Sequence, residues 1–93
     1  MVKMNRVEGK DKAKILVYTL STCGWCARTK EFLNDLGVRY SFVEVDTLAG
    51  DELQEVRSDI QRLSGRVSFP TIVINDQTCV VGYNTEKIVE AIG

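Results

Sequence analysis

Ninety-three residues, 44% of them hydrophobic and 8% aromatic, make one folded domain and leave no room for a second core. A formal charge of −1 excludes a phosphate-tracking surface, so nucleic acid is not an expected partner. No apolar run approaches the ~18 residues of a spanning helix, and Met1 to Lys14 lacks the apolar stretch of a secretory signal, so a cytoplasmic monomer without membrane contact is expected.

Residues 1–13, with Lys3, Arg6, Glu8, Lys10, Asp11 and Lys12, read as a charged, flexible, solvated leader, and residues 14–93 as the domain. Lys14-Ile15-Leu16-Val17-Tyr18-Thr19-Leu20 is a nearly continuous apolar run of strand length, suited to a strand buried on both faces. Ser21-Thr22 offers capping hydroxyls, and a helix is expected from about Gly24 to Leu36, stopped by Gly37. Its inward face would carry Cys26, Leu33 and Leu36, with Phe32 beside them. Tyr40 to Asp46 reads as a second strand, completing a βαβ unit with parallel strands and a right-handed crossover.

Leu53, Val56, Ile60 and Leu63 recur at helical spacing and predict a second helix over Gly50 to Ser64. After Pro70, the only proline, Thr71 to Ile74 and Thr78 to Val81 form a hairpin around Asn75-Asp76. Gly82-Tyr83-Asn84 breaks the pattern, and a final helix from Thr85 would turn Ile88, Val89 and Ile92 inward. The order β-α-β-α-β-β-α describes an α/β fold with a four-stranded mixed sheet flanked by helices. Tyr18, Phe32 and Cys79 are expected in the core, and Asp46, Asp51, Glu52, Glu55 and Asp59 on a solvated face.

Three cysteines cannot all pair within one chain, so they do not read as structural staples. The absence of histidine removes every Cys–His or Ser–His–Asp nucleophile and every His-containing zinc site. A structural zinc half-site at Cys23 and Cys26 would need two further ligands, and only Cys79 remains. The spacing Cys23-Gly24-Trp25-Cys26 puts two sulfurs on neighbouring positions of a helix start. Unpaired N–H groups and the positive end of the helix dipole favour a thiolate there, supplying the activation that histidine cannot, and Arg28 and Lys30 add positive potential. Cys23 would attack a substrate disulfide, and Cys26, one turn inward, would resolve the mixed disulfide, with no metal or organic cofactor required. Trp25, between them, should be partly exposed and contact a partner.

Three segments from Lys14 onward carry a resemblance to the glutaredoxins of the thioredoxin superfamily: Val17 to Cys26, Ser68-Phe69-Pro70-Thr71-Ile72, and Val81-Gly82-Tyr83-Asn84. The resemblance implies a thioredoxin-like fold and a dithiol thiol–disulfide oxidoreductase acting on protein or mixed disulfides. It implies a cis Phe69–Pro70 bond beside the cysteines, with the Phe69 backbone free to pair with an extended substrate. Substrate contacts then fall to Thr22, Gly24, Trp25, Phe69, Pro70, Gly82 and Tyr83.

Glutathione is the family's usual co-substrate, but Leu20 stands where many members carry a glutathione-binding lysine, and Val81 to Asn84 differs from the family's glycine pair with its acidic residues. Arg66 is the nearest candidate for compensation. The last segment is more similar to redoxins served by a thioredoxin-reductase-type enzyme, so the electron donor is expected to be a reductase or a low-molecular-weight thiol. Some members instead bridge two chains through the first cysteine around a [2Fe–2S] cluster, and Gly24 after Cys23 fits that alternative.

Overall fold

The computed structural model of the protein describes residues 4–93. Its elements run β1 (Asn5–Val7), β2 (Ile15–Thr19), α1 (Gly24–Leu36), β3 (Tyr40–Glu44), a 3-10 turn (Val45–Thr47), α2 (Gly50–Ser64), β4 (Thr71–Ile74), β5 (Thr78–Val81) and α3 (Thr85–Ile92). They build one five-stranded sheet in the order β1-β3-β2-β4-β5. β2 and β3 are parallel, as the βαβ reading requires, and every other pairing is antiparallel.

β2 is central, and alternation along it feeds two cores. Ile15 and Val17 join Leu33, Ile72, Ile74, Val80 and Ile88 on the face covered by α1 and α3. Tyr18 faces the other way and packs with Val43, Val73, Val56 and Ile60 under α2. The α2 stripe of Leu53, Val56, Ile60 and Leu63 all reaches that second core.

The expected four-stranded sheet gains a fifth strand from the leader. Asn5 to Val7 pairs antiparallel with Phe42 to Tyr40, covering the otherwise open edge of β3. Lys10 then exchanges hydrogen bonds with Gly37 and Arg39, each 2.8 Å. Gly9 makes this approach possible, because a Cβ there would lie 2.6 Å from the Val38 carbonyl carbon. The segment is docked rather than solvated; Lys3 lies outside the described residues.

Two helical faces also differ from expectation. On α1 the buried positions are Cys26, Thr29 and Leu33, whereas Leu36 is 40% exposed. Thr29 is tolerated inside because its hydroxyl donates to the Trp25 carbonyl at 2.9 Å, one turn back. On α3 only Ile88 is fully buried, Ile92 packs at the margin, and Val89 is 48% exposed. β3 stops at Glu44, two residues early, because the chain turns into the 3-10 segment, where the Thr47 hydroxyl donates to the Glu44 carbonyl at 2.7 Å. The Asn75-Asp76 turn is as expected, with both residues at positive φ as a two-residue hairpin demands.

Leu33→Ala should therefore cost about 3 kcal/mol in urea unfolding, and Leu36→Ala less than about 1. Burial also pushes up Tyr18, Tyr40 and Cys79, and takes Cys26 up to about 12. Above the ordinary thiol and phenol values the unfolded chain has released these protons while the fold retains them, so stability falls as pH rises. Between about pH 5 and 8, above the carboxylate range and below the thiols, the reduced protein should show a flat urea midpoint, declining from about pH 9 upward.

Candidate active site

β2 delivers the chain to the site through a turn fixed at both ends. Thr19 is fully buried, and its hydroxyl donates to the Val43 carbonyl at 3.3 Å. Beyond it the Cys23 N–H reaches back to the Leu20 carbonyl at 3.3 Å. Ser21 donates to the Asp46 carboxylate from both its hydroxyl and its N–H, the latter at 2.9 Å. Those two bonds hold the Asp46 carboxyl below the usual range, so the carboxylate is the form that clamps the turn. Asp46 thus has a structural task beyond a solvated face.

The Ser21 hydroxyl, spent on Asp46, does not cap the helix. Cys23 does, with extended backbone (φ −91°, ψ 118°), and its sulfur accepts from the Cys26 N–H at 3.2 Å. Thr22 and Gly24 are exposed on either side, and no atom would crowd a Cβ at Gly24. Both active-site cysteines are free thiols, but their surroundings differ: Cys23 is partly open, while Cys26 is 1% exposed. Burial is the main reason the Cys26 thiol is pushed up to about 12, and its hydrogen bond to the Cys23 sulfur adds to this. An anion on Cys23 would receive hydrogen bonds in their stronger, charge-assisted form. The pair can therefore act in sequence, one sulfur open to attack and the other holding its proton.

The far wall comes from two loops. The Phe69–Pro70 bond is cis, as the resemblance implied, and Pro70 is fully buried. The Thr71 hydroxyl donates to the Ser68 carbonyl at 2.7 Å, and the Gly82 N–H donates to the Pro70 carbonyl at 2.8 Å. Gly82 sits at φ 84°, a conformation that favours glycine, which lets the loop turn into α3 beside the proline. Asn84 caps α3, accepting from the Lys87 N–H at 3.1 Å. No backbone hydrogen bond engages Phe69 among the described residues, leaving its N–H and C=O unpaired as expected.

Trp25, Phe69, Pro70, Gly82 and Tyr83 meet around one groove of about 270 Å³. The five were expected to contact substrate, and the fold brings them together. The Trp25 and Tyr83 rings lie 5.7 Å apart, and the Arg28 guanidinium covers Trp25 at 5.3 Å. Trp25 nonetheless remains 58% exposed, so it both packs against Tyr83 and presents a face outward.

Other candidates fall elsewhere. Leu20 packs at the margin of the second core. Lys30 sits 3.8 Å from Glu44 and 4.0 Å from the Phe42 ring, directed to the sheet rather than the groove. Arg66 is exposed and does not line the groove. Cys79 is half-buried on the α2 side and donates to the Leu63 carbonyl at 3.0 Å. The Ser21–Asp46 clamp was missed because two distant short-range elements must fold before it exists.

The glutaredoxin family model matches residues 15–79, which include both active-site cysteines and the Phe69–Pro70 loop. The glutaredoxin of Methanosarcina mazei Go1 superposes with a TM-score of 0.91 at 44% identity, covering 98% of this chain and 88% of that one. A methanoredoxin of Methanosarcina acetivorans gives 0.86, also at 44% identity, over 91% and 90% of the two chains. A glutaredoxin-like 8.6 kDa protein of the rubredoxin operon in Clostridium pasteurianum is 34% identical over 74 residues, 80% of this chain and 91% of that protein. With that fold and that cysteine pair, the chain belongs to the glutaredoxin family, within the thioredoxin superfamily, and is a thiol–disulfide oxidoreductase.

Proposed function

We propose that the protein reduces disulfides in proteins, or mixed disulfides on them, by two-step exchange between Cys23 and Cys26. The observation that carries this reading is the inequality of the two sulfurs: Cys23 caps the helix and is partly open, while Cys26 is buried behind it. In the first step the Cys23 thiolate attacks a substrate sulfur, forming a mixed disulfide and expelling one substrate thiolate, which takes up a proton. In the second, Cys26 gives up its proton and attacks the Cys23 sulfur, releasing the second substrate thiol and leaving a Cys23–Cys26 disulfide. The Cys26 N–H already donates to the Cys23 sulfur at 3.2 Å, which supports this order by holding the Cys23 side chain against the turn that carries Cys26.

The donor that restores the dithiol is, in this reading, a low-molecular-weight thiol other than glutathione or a reductase protein. The groove is lined by Trp25, Phe69, Pro70, Gly82 and Tyr83, none of them charged, and Leu20 offers no cation from the preceding turn. Glutathione's two carboxylates would find no ion partner in that lining. The protein would work as a monomer in a reducing, cytoplasmic setting. The alternative role, a [2Fe–2S] carrier joining two chains through Cys23, would reveal itself as a coloured dimer after anaerobic reconstitution.

Cys23→Ser should abolish turnover, whereas Cys26→Ser should accumulate a protein–substrate mixed disulfide visible by mass spectrometry and retain only single-thiol reactions. Full activity in Cys23→Ser would contradict the mechanism. Supplying the oxidised protein with either glutathione and its reductase or a thioredoxin-reductase system identifies the donor. Efficient reduction by the glutathione couple would overturn the donor assignment without touching the cysteine roles.

A further inference from the structure

The active-site groove does not end at Tyr83. A second depression, lined by Arg28, Glu31, Phe32, Asp35 and Tyr83, continues from it along α1. Phe32 is then shared with a third, whose other walls are α3 residues including Glu86, Val89 and Glu90. Together these form a furrow from Trp25 to Val89 whose floor is apolar at its two ends and polar between them. Val89, at a position whose spacing suits a core, is left 48% exposed there, and Tyr83 is 38% exposed.

The rims are acidic on both sides. Glu31 and Asp35 stand at i,i+4 on α1, and Glu86 and Glu90 at i,i+4 on α3. All four are exposed, and none is in an ion pair among the described residues. Like charges at that spacing oppose each other and disfavour each helix slightly. The one cation in the furrow, Arg28, is turned onto the Trp25 ring. The whole chain carries a formal charge of only −1, so this acidity is local.

We infer that this furrow docks a basic amphipathic segment of the protein whose disulfide is reduced, an apolar row flanked on both sides by Lys or Arg. The inference rests on the exchange reading above and names the partner chemistry that reading leaves open. Acidic rims would speed encounter and set partner choice, while the apolar ends of the floor would hold the segment beside Cys23.

The test uses two synthetic peptides of about 16 residues, a length that as a helix spans roughly 24 Å. Both carry a Leu row; one flanks it with Lys and the other with Glu, and neither contains cysteine. Trp25, the only tryptophan, reports binding by its fluorescence. The Lys peptide should bind at least about tenfold more tightly than the Glu peptide at low salt, and the gap should close when salt screens the rims. Glu31→Lys with Glu86→Lys leaves each rim with one cation and one carboxylate and should abolish the preference, and Val89→Ser should weaken the Lys peptide. Equal binding of the two peptides by the wild-type protein, or a preference that survives the double charge reversal, would overturn the inference. Single-turnover reduction of hydroxyethyl disulfide, a small neutral substrate, by the pre-reduced dithiol should be unchanged in the charge-reversed protein. Its absence in the wild-type protein would instead count against the exchange reading, which separates the two failures.

Discussion

The hydrogen bond from the Cys26 N–H to the Cys23 sulfur ties the helix to its chemistry. An α-helix begins with N–H groups that have no carbonyl to receive them, and a polar side chain usually fills that need. Here the filling atom is the Cys23 sulfur itself. The same bond that starts α1 therefore points a backbone N–H at the Cys23 sulfur, and does so in a chain without histidine. Because Cys26 follows one turn later, the helix that exposes Cys23 carries Cys26 into the interior. Geometry that any helix provides leaves one thiol partly open and the other buried.

The rest of the structure keeps that helix start in place. β2 is held by neighbours on both sides, and its last residue, Thr19, is anchored to the next strand through its hydroxyl. Asp46 grips the Ser21 turn from the far end of the βαβ unit. The groove's second wall is held by Gly82 bonded to the Pro70 carbonyl, so two loops distant in sequence behave as one surface. The folded leader pairs along the edge of β3. Both the cysteines and the groove thus rest on elements with buried, paired backbones, while Trp25 and Tyr83 remain available at the rim.

Much of this was legible from residue pattern. Ile15 to Thr19, Thr71 to Ile74 and Thr78 to Val81 are short β-rich runs bounded by turn residues, and the α2 stripe repeats strictly at helical spacing. The position of the cysteine pair was readable because it lies between a buried strand and a helix start, and the structure places it there with one thiol partly open and the other buried. What escaped was decided by partners. Asn5 to Val7 has no strand pattern of its own and becomes a strand only because β3 offers an open edge. Leu36 and Val89 have core spacing but lie where α1 and α3 have no third layer to cover them. Thr29 looks polar, yet its own helix backbone satisfies its hydroxyl. Ser21 looks like a cap, and loses that role to a carboxylate that arrives only when β3 has folded.

One helix start makes the two thiols unequal in burial. Brief exposure of the reduced protein to iodoacetamide at neutral pH, followed by peptide mapping, measures this directly. Cys23 should take label at least about a hundredfold faster than Cys26, whose thiol is buried and held protonated, with Cys79 also lagging. Labelling of Cys26 at a rate matching Cys23 would contradict it.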